Sequence, residues 1–276
     1  MLKHLAKSND YILELENLSK SFGNNFEVVK DINLKVKKGE FVCFIGPSGC
    51  GKTVLLYTIA GFLPPSSGKI LVKGIEANSI GLDRIMVFQD HMLFPWKTVL
   101  GNILFGLSNS NLDRNEKITL AENYLDLVDL SEFKDWPIHK LSGGMKQRVA
   151  FARALVTDPE ILLMDEPFSS LDSITRRQLR KNLIRIWQKT KKTILFVTHS
   201  INEAIYMADT IYIMSSRPTT IKKSYSIKLL RPRDMSDPRY VQILKRVEDD
   251  VQIEFDLDKT RIDTQIDINA ILANNR

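Results

Sequence analysis

The sequence predicts an α/β fold with an antiparallel β-subdomain at its amino end and a mostly helical insertion, and three observations carry that prediction. Polar and apolar residues alternate in Ile12-Leu13-Glu14-Leu15-Glu16 and in Ile32-Asn33-Leu34-Lys35-Val36-Lys37, the period of a half-buried strand. After Gly39 the alternation stops, and short, wholly apolar runs recur, as strands covered on both faces require. Between two such patterns stands GPSGCGKT, Gly46 to Thr53, a glycine-rich link from a strand to a helix.

Taken in order, Phe41 to Ile45 is the first parallel strand, and the helical run Thr53 to Ala60 follows the loop and stops at Gly61, a residue suited to a left-handed cap. Further strands are expected at Ile85 to Phe88, Ile161 to Met164, Ile194 to Val197 and Ile211 to Met214. From about 90 to 157 the patterns are helical, with Ile118, Ala121, Leu125 and Val128 on one face of Lys117 to Val128, and a further helix at Met145 to Leu155. This interval is read as an inserted helical subdomain within a domain of residues 10–231. The basic run Arg176-Arg177-Gln178-Leu179-Arg180-Lys181 continues to Lys192 with Leu179, Leu183 and Ile186 inward, so its charges are read as a solvated helix face. From Pro232 to Arg276 only scattered charge and short amphipathic pieces remain, an extension without an assigned role.

Composition narrows the class of function. In 276 residues, 43% hydrophobic and 26% charged content predicts a packed core, and 39 Lys+Arg against 33 Asp+Glu gives +6. That balance is compatible with nucleic acid or an anionic membrane surface without demanding either. No run approaches the ~20 apolar residues of a membrane span, and the start MLKHLAKSNDY lacks the apolar segment of a secretion signal. A cytosolic chain is expected, anchored if at all by a partner. Cys43 and Cys50 are read as reduced bystanders.

Chemistry gathers at strand ends, where open parallel sheets bind ligands: Gly46, Gln89, Asp165 with Glu166, and His199 after Thr198. In the loop formed by Gly46, Pro47, Ser48, Gly49, Cys50 and Gly51, backbone N–H groups surround an anion and the following helix turns its positive end towards it. Lys52 then reaches β and γ phosphates, and the Thr53 hydroxyl binds Mg²⁺ with Asp165 as the second protein ligand. Glu166 is placed to polarise a water for attack on phosphorus. Ser142-Gly143-Gly144, just before the Met145 helix, offers a second anion site at a helix amino terminus.

With Gln89, LSGGMKQR (Leu141 to Arg148), ILLMDEP, SSLD (Ser169 to Asp172) and VTHS in this order, the chain resembles the ATP-binding subunits of ABC transporters over about residues 12 to 220. The resemblance implies an ATP hydrolase with ATP and Mg²⁺ as nucleotide and metal. It implies that Gln89 links metal and attacking water to the transport partner, that His199 contacts the γ phosphate, that Asp172 lies at a dimer interface and that Phe22 stacks on adenine. It further implies a head-to-tail pair with a second copy or a homologous subunit, in which Ser142, Gly143 and Gly144 of one chain close over ATP held by the other. Two positions depart from the family: Val54 stands where Thr is common, so one nucleotide contact is expected to be missing, and Met145 replaces a usual Gln with little expected effect.

The stretch Val87 to Leu107, with DEPFSSLD and VTHSINEAIYMADTIYIMSSRP, most resembles the importers of nitrate, sulfonates, taurine and related solutes. That implies two membrane permease subunits, an extracytoplasmic solute-binding protein and a peripheral position on the cytoplasmic face of the inner membrane. Met92, Leu93, Phe94, Pro95 and Trp96 are then expected to help receive a permease helix, or else to be subdomain core. An alternative is a soluble relative acting on nucleic acid, ribosomes or assembly scaffolds. The absence of an inserted coiled coil and of a second ATP-binding unit speaks against it, and no nucleic-acid partner is expected. A small-molecule kinase would leave Ser142 to Gly144 and Asp172 unexplained.

Overall fold

The computed structural model describes residues 10–23 and 26–274, with side chains as far as 256. Strands β1 (Tyr11–Phe22) and β2 (Phe26–Lys37) form a long antiparallel hairpin, and β4 (Ser67–Val72) with the short β5 (Ile75–Glu76) completes a four-stranded sheet in the order β2-β1-β4-β5. A second sheet has the order β10-β9-β3-β8-β7-β6, built from β3 (Phe41–Ile45), β6 (Arg84–Val87), β7 (Ile161–Asp165), β8 (Thr193–Val197), β9 (Thr210–Met214) and the antiparallel edge strand β10 (Ile221–Ser226). Its five parallel strands are those expected from the apolar runs.

The reason those runs do not alternate is visible in the packing. Val42 and Phe44 join the core shared with the antiparallel sheet and α1 (Lys52–Ala60), whereas Phe41, Cys43 and Ile45 join the core on the other face. Strand β7 divides in the same way, Ile161 and Leu163 to one side, Leu162 and Met164 to the other. Both faces are covered, so both sets of side chains must be apolar. Register pairs Phe44 with Val197, Ile45 with Ile213, Val87 with Met164 and Asp165 with Val197. The carboxyl ends of the strands therefore stand level along one rim.

Between β6 and β7 the chain forms α2 (Val99–Gly106), α3 (Arg114–Leu127), two 3₁₀ turns at Ser131–Phe133 and Ile138–Lys140, and α4 (Gly143–Leu155). Ala121, Leu125 and Val128 are buried along one face of α3 as the spacing predicts, and Asp113 and Glu116 close its amino end with a reciprocal capping box. Helix α5 (Ser173–Thr190) buries Leu179, Leu183 and Ile186 and exposes Arg177 and Lys181. The solvated-face reading fails for Arg176, which is half-buried and donates to the carbonyls of Phe168 and Leu171. Both cysteines are buried and free, and burial pushes the Cys43 thiol up from its usual range.

The carboxyl-terminal region differs most from its sequence reading. Instead of short pieces it holds one helix, α7 (Pro238–Asn274), whose Tyr240, Val247 and Val251 are buried in the main core. Ahead of it Arg231 donates to Met207 O, and the buried Arg233 donates to Ile205 O and Ala208 O, so carbonyls at the end of α6 (Ile201–Met207) are satisfied by the extension. Burial lowers the Arg233 pKa to about 10. Tyr240 Oη donates to Asn202 O at the other end of α6. The apolar positions of α7 do follow a helical period, but intervening charged residues dilute it.

Candidate nucleotide site

The loop after β3 is shaped by what surrounds it. A Cβ on Gly46 would lie 2.6 Å from Met214 O, and Gly51 has φ +127°, so neither position accepts a side chain without rearrangement. Gly51 caps α1 with no side-chain hydrogen bond, which leaves the first-turn N–H groups directed at the loop's concavity. Lys52 is 4% exposed, and its Nζ donates to Gly46 O at 2.9 Å and Pro47 O at 2.7 Å, which holds the ammonium across the loop. Val54, half-buried, packs against the core beneath the antiparallel sheet.

The turn between β9 and β10 ties this loop to the β1–β2 hairpin. Thr219 Oγ1 donates to Cys50 O, Thr219 N to Val28 O at 2.8 Å, and Lys30 N to Thr219 O at 2.9 Å. Phe22, at the end of β1, is exposed and paired in register with Phe26 across the hairpin. The Lys20 ammonium lies 5.1 Å from the Phe22 ring centre, and the Arg217 guanidinium 5.7 Å from that of Phe26, both within cation–π range. Arg217 Nη2 also comes within 3.7 Å of where a Cβ on Gly49 would sit. Phe26, Arg217 and Thr219 were not singled out by sequence; only an aromatic following a turn and the pair Arg217-Pro218 could have flagged them.

At the end of β7, Asp165 Oδ1 accepts from Thr53 Oγ1 at 3.1 Å. Burial raises the Asp165 pKa above the usual carboxylate range, and the adjacent Glu166 charge raises it further, against the Thr53 hydrogen bond. Thr53 and Asp165 are hard oxygen donors that fit Mg²⁺, an ion commonly held by one or two protein groups and the phosphates. No group of three or more His, Cys, Asp or Glu arranged to hold a metal ion is present among the described residues. Gln89 lies exposed beyond β6, on the neighbouring strand end. Glu166 takes φ +42°, a conformation rare for a side-chain-bearing residue, with its N–H on Val197 O at 3.0 Å. Its Oε2 lies 3.0 Å from His199 Nδ1.

The second anion-binding candidate is built differently. Ser142 caps α4, its Oγ accepting from Met145 N at 3.3 Å, and Ser142 and Gly143 face solvent. A Cβ on Gly143 would meet Leu171 Cδ2 at 3.0 Å and one on Gly144 would meet Thr175 Cγ2 at 2.6 Å. These glycines therefore let α4 seat against the loop that leads into α5. Asp172 caps α5, accepting from Ile174 N and Thr175 N at 3.0 Å, and its hydrogen bonds with Thr175 hold its carboxyl below the usual range.

Near the same rim a groove of about 240 Å³ is lined by Phe88, His91, Phe105, Ala150 and Arg153. Burial lowers the His91 pKa. Phe94 and Leu93 are half-buried, Phe94 against Phe105 at 4.5 Å, while Met92 and Trp96 are exposed at the groove's side. The apolar stretch thus divides between subdomain core and surface. No helix among the described residues is long and apolar enough to cross a membrane.

The chain is similar to known proteins over most of its length. The ABC transporter family profile matches residues 29–169. An uncharacterised ABC transporter ATP-binding protein of Methanocaldococcus jannaschii is 47% identical over 85% of this chain and 89% of its own length. The taurine import ATP-binding protein of Pelagibacter ubique is 44% identical over 74% and 77%, and the nitrate import ATP-binding protein of Synechocystis is 45% identical over 82% and 86%. Among solved structures, a dimeric ATP-binding cassette in a post-hydrolysis state with ADP and Pi superposes with a TM-score of 0.68 at 30% identity, covering 79% of this chain and all of that one. The chain belongs to the ABC transporter family of ATP-binding proteins, ATPases whose hydrolysis is coupled to transport.

Proposed function

We propose that the chain is the ATP-hydrolysing subunit of an importer for a small solute, such as nitrate, a sulfonate or taurine, working with two permease subunits and an extracytoplasmic binding protein. The observation that carries this reading is the convergence of Lys52, Thr53, Asp165, Glu166 and His199 on one rim while Ser142 and Gly143 stand exposed on another element. One chain offers most of a hydrolytic site and, separately, the piece that another copy would need.

In this reading residues 10–231 form the ATP-binding domain, residues of about 90–157 its helical subdomain, and 232–276 an extension. Phe22, with Phe26 behind it, takes the adenine, the loop from Gly46 to Gly51 surrounds the phosphates, and Lys52 turns from the loop carbonyls to the β and γ phosphates. Thr53, Asp165 and Gln89 would hold Mg²⁺, which when bound neutralises developing charge on the phosphates. Glu166 accepts the proton of the attacking water, and His199, within hydrogen-bond reach of that carboxylate, contacts the γ phosphate. Ser142, Gly143 and Gly144 of the partner copy close over the phosphates, with Asp172 at the interface. Because differential affinity moves an equilibrium, ATP must favour the closed pair, and hydrolysis reopens it.

The groove beside Met92 and Trp96 suits a permease helix, whose apolar anchors would supply the interface energy. That contact would place the chain on the cytoplasmic face of the membrane. The names of the relatives support import over a nucleic-acid or scaffold partner. The test is co-purification of the tagged chain from its own cells in mild detergent. A polytopic membrane protein in near-equal amount is expected; recovery with ribosomes, nucleic acid or a soluble scaffold would overturn transport and leave the ATPase assignment standing.

A further inference from the structure

A buried carboxylate outside the site just described lies between two of its loops. Glu203 in α6 is 4% exposed, and its Oε2 accepts from Thr198 Oγ1 at 2.7 Å. Thr198, itself 2% exposed, precedes His199, and the same hydroxyl oxygen accepts from Ser200 N at 3.0 Å. His199 thus sits between two residues joined by one hydroxyl, which accepts from Ser200 N and donates to Glu203. On the other side of the carboxylate, Arg176 Nε lies 3.9 Å from Glu203 Oε1. The same guanidinium donates to Phe168 O at 3.2 Å and Leu171 O at 2.7 Å, two carbonyls of the loop between Glu166 and Asp172.

Helix capping does not account for this. Ser200-x-x-Glu203 reads as a capping box, and Ser200 Oγ does accept from Glu203 N at 3.3 Å. In the corresponding box of α3, the Glu116 carboxylate is exposed and returns to Asp113 N. Glu203 instead turns inward to Thr198 and Arg176. Burying a carboxylate is costly unless it is paired and hydrogen-bonded, and such networks fix one geometry rather than add net stability.

We propose that Glu203 is a positioning residue for His199, and that through Arg176 it joins the histidine loop to the loop carrying Asp172, so that the two move together. The proposal rests on the role given to His199 above. A displacement of the Asp172 loop by a partner copy would pull the Phe168 and Leu171 carbonyls, Arg176, Glu203 and Thr198 in turn, and reach the group facing the γ phosphate. His199 is then set by closure of the pair as well as by nucleotide.

The test is steady-state ATPase kinetics of the full chain with Glu203→Ala, His199→Ala and the double variant. Misplacing a catalytic group costs roughly ten- to a hundredfold in rate, so Glu203→Ala should lower kcat by about that factor while KM for ATP stays within about twofold. In the His199→Ala background the same change should have no further effect. If the two losses multiply, or if Glu203→Ala raises KM alone, Glu203 does not act through His199 and the proposal falls by itself. Full activity in His199→Ala would instead remove the role of His199, and the proposal with it. Should Glu203→Ala not fold, Glu203→Gln keeps the Thr198 acceptor and loses the ion pair; a several-fold lower kcat, not compounded by Arg176→Gln, is expected, and an unchanged kcat overturns the proposal.

Discussion

In the proposed reading the amino ends of α1 and α4 are two versions of one device, an anion site made from glycine and free N–H groups, yet the chain treats them differently. Around α1 the fold builds most of the site: Gly46 packs closely against the Met214 backbone, Lys52 is folded across the loop, and Thr53 is hydrogen-bonded to Asp165 at the end of β7. Around α4 the fold braces only the underside, seating Gly143 against Leu171 and Gly144 against Thr175, and leaves Ser142 and Gly143 facing water. A helix end that is held firmly from below and open above is suited to meet something from outside the chain. The asymmetry teaches that completeness within a chain, rather than the presence of a motif, separates a site from half of one.

The most severe way to break this comparison is to disable chemistry at the finished end. Glu166→Gln should lower kcat by about 10²- to 10⁴-fold, the usual contribution of a general base, and should accumulate an ATP-dependent dimer on size exclusion. A monomer that hydrolyses ATP normally would refute the mechanism. Next comes separation of the halves. Lys52→Ala and Ser142→Arg should each be inactive alone, and an equimolar mixture should regain up to about a quarter of the wild-type rate, because half the pairs are mixed and each mixed pair has one intact site. No recovery on mixing would mean that both helix ends serve the same chain's nucleotide.

Much of this asymmetry could be read from sequence, for physical reasons that also mark the limit. Gly46 to Thr53 and Asp165 with Glu166 are legible because each side chain's chemistry is local: loop conformation, strand end, helix start. The five parallel strands were legible because burial on two faces leaves no polar position to confuse the pattern. Arg176, Glu203 and Arg217 were not, since the pairing of Arg176 with Glu203 and the approach of Arg217 to Gly49 exist only in three dimensions, and in sequence each is an ordinary charge. The long helix α7 was missed for a related reason: Tyr240, Val247 and Val251 keep a helical period, but what they pack against is not contiguous with them.

A smaller effect concerns the cost of building the finished site. Burial raises the Asp165 pKa above its unfolded value, so between the two values the folded chain holds more proton than the unfolded one, and stability falls as pH rises through that window. Above it the penalty is fully present. Asp165→Asn should therefore raise Tm at neutral pH while abolishing hydrolysis, and its advantage should shrink as pH drops towards the unfolded carboxylate value. A Tm lower than wild type at neutral pH would mean that the Thr53 hydrogen bond outweighs desolvation.

The smallest expected effect distinguishes the two helix ends by side chain alone. Val54, in the first turn of α1, brings no hydroxyl where the family resemblance leads one to expect Thr, so Val54→Thr supplies a donor beside the proposed nucleotide position without lengthening the side chain. One net hydrogen bond is worth about 0.5–1.5 kcal/mol, and ATP binding should tighten by roughly two- to tenfold in Kd. Because Val54 is half-buried against the core, the new hydroxyl also carries a modest desolvation cost, and Tm should be unchanged or slightly lower. Met145→Gln, the matching change at α4, should leave ATP affinity and kcat unaltered, since the proposed reading gives the phosphate contacts there to Ser142 and backbone N–H groups. If isothermal titration finds Val54→Thr neutral or weaker while Met145→Gln changes kcat, then the finished end has no contact to gain and the open end reads its partner through side chains.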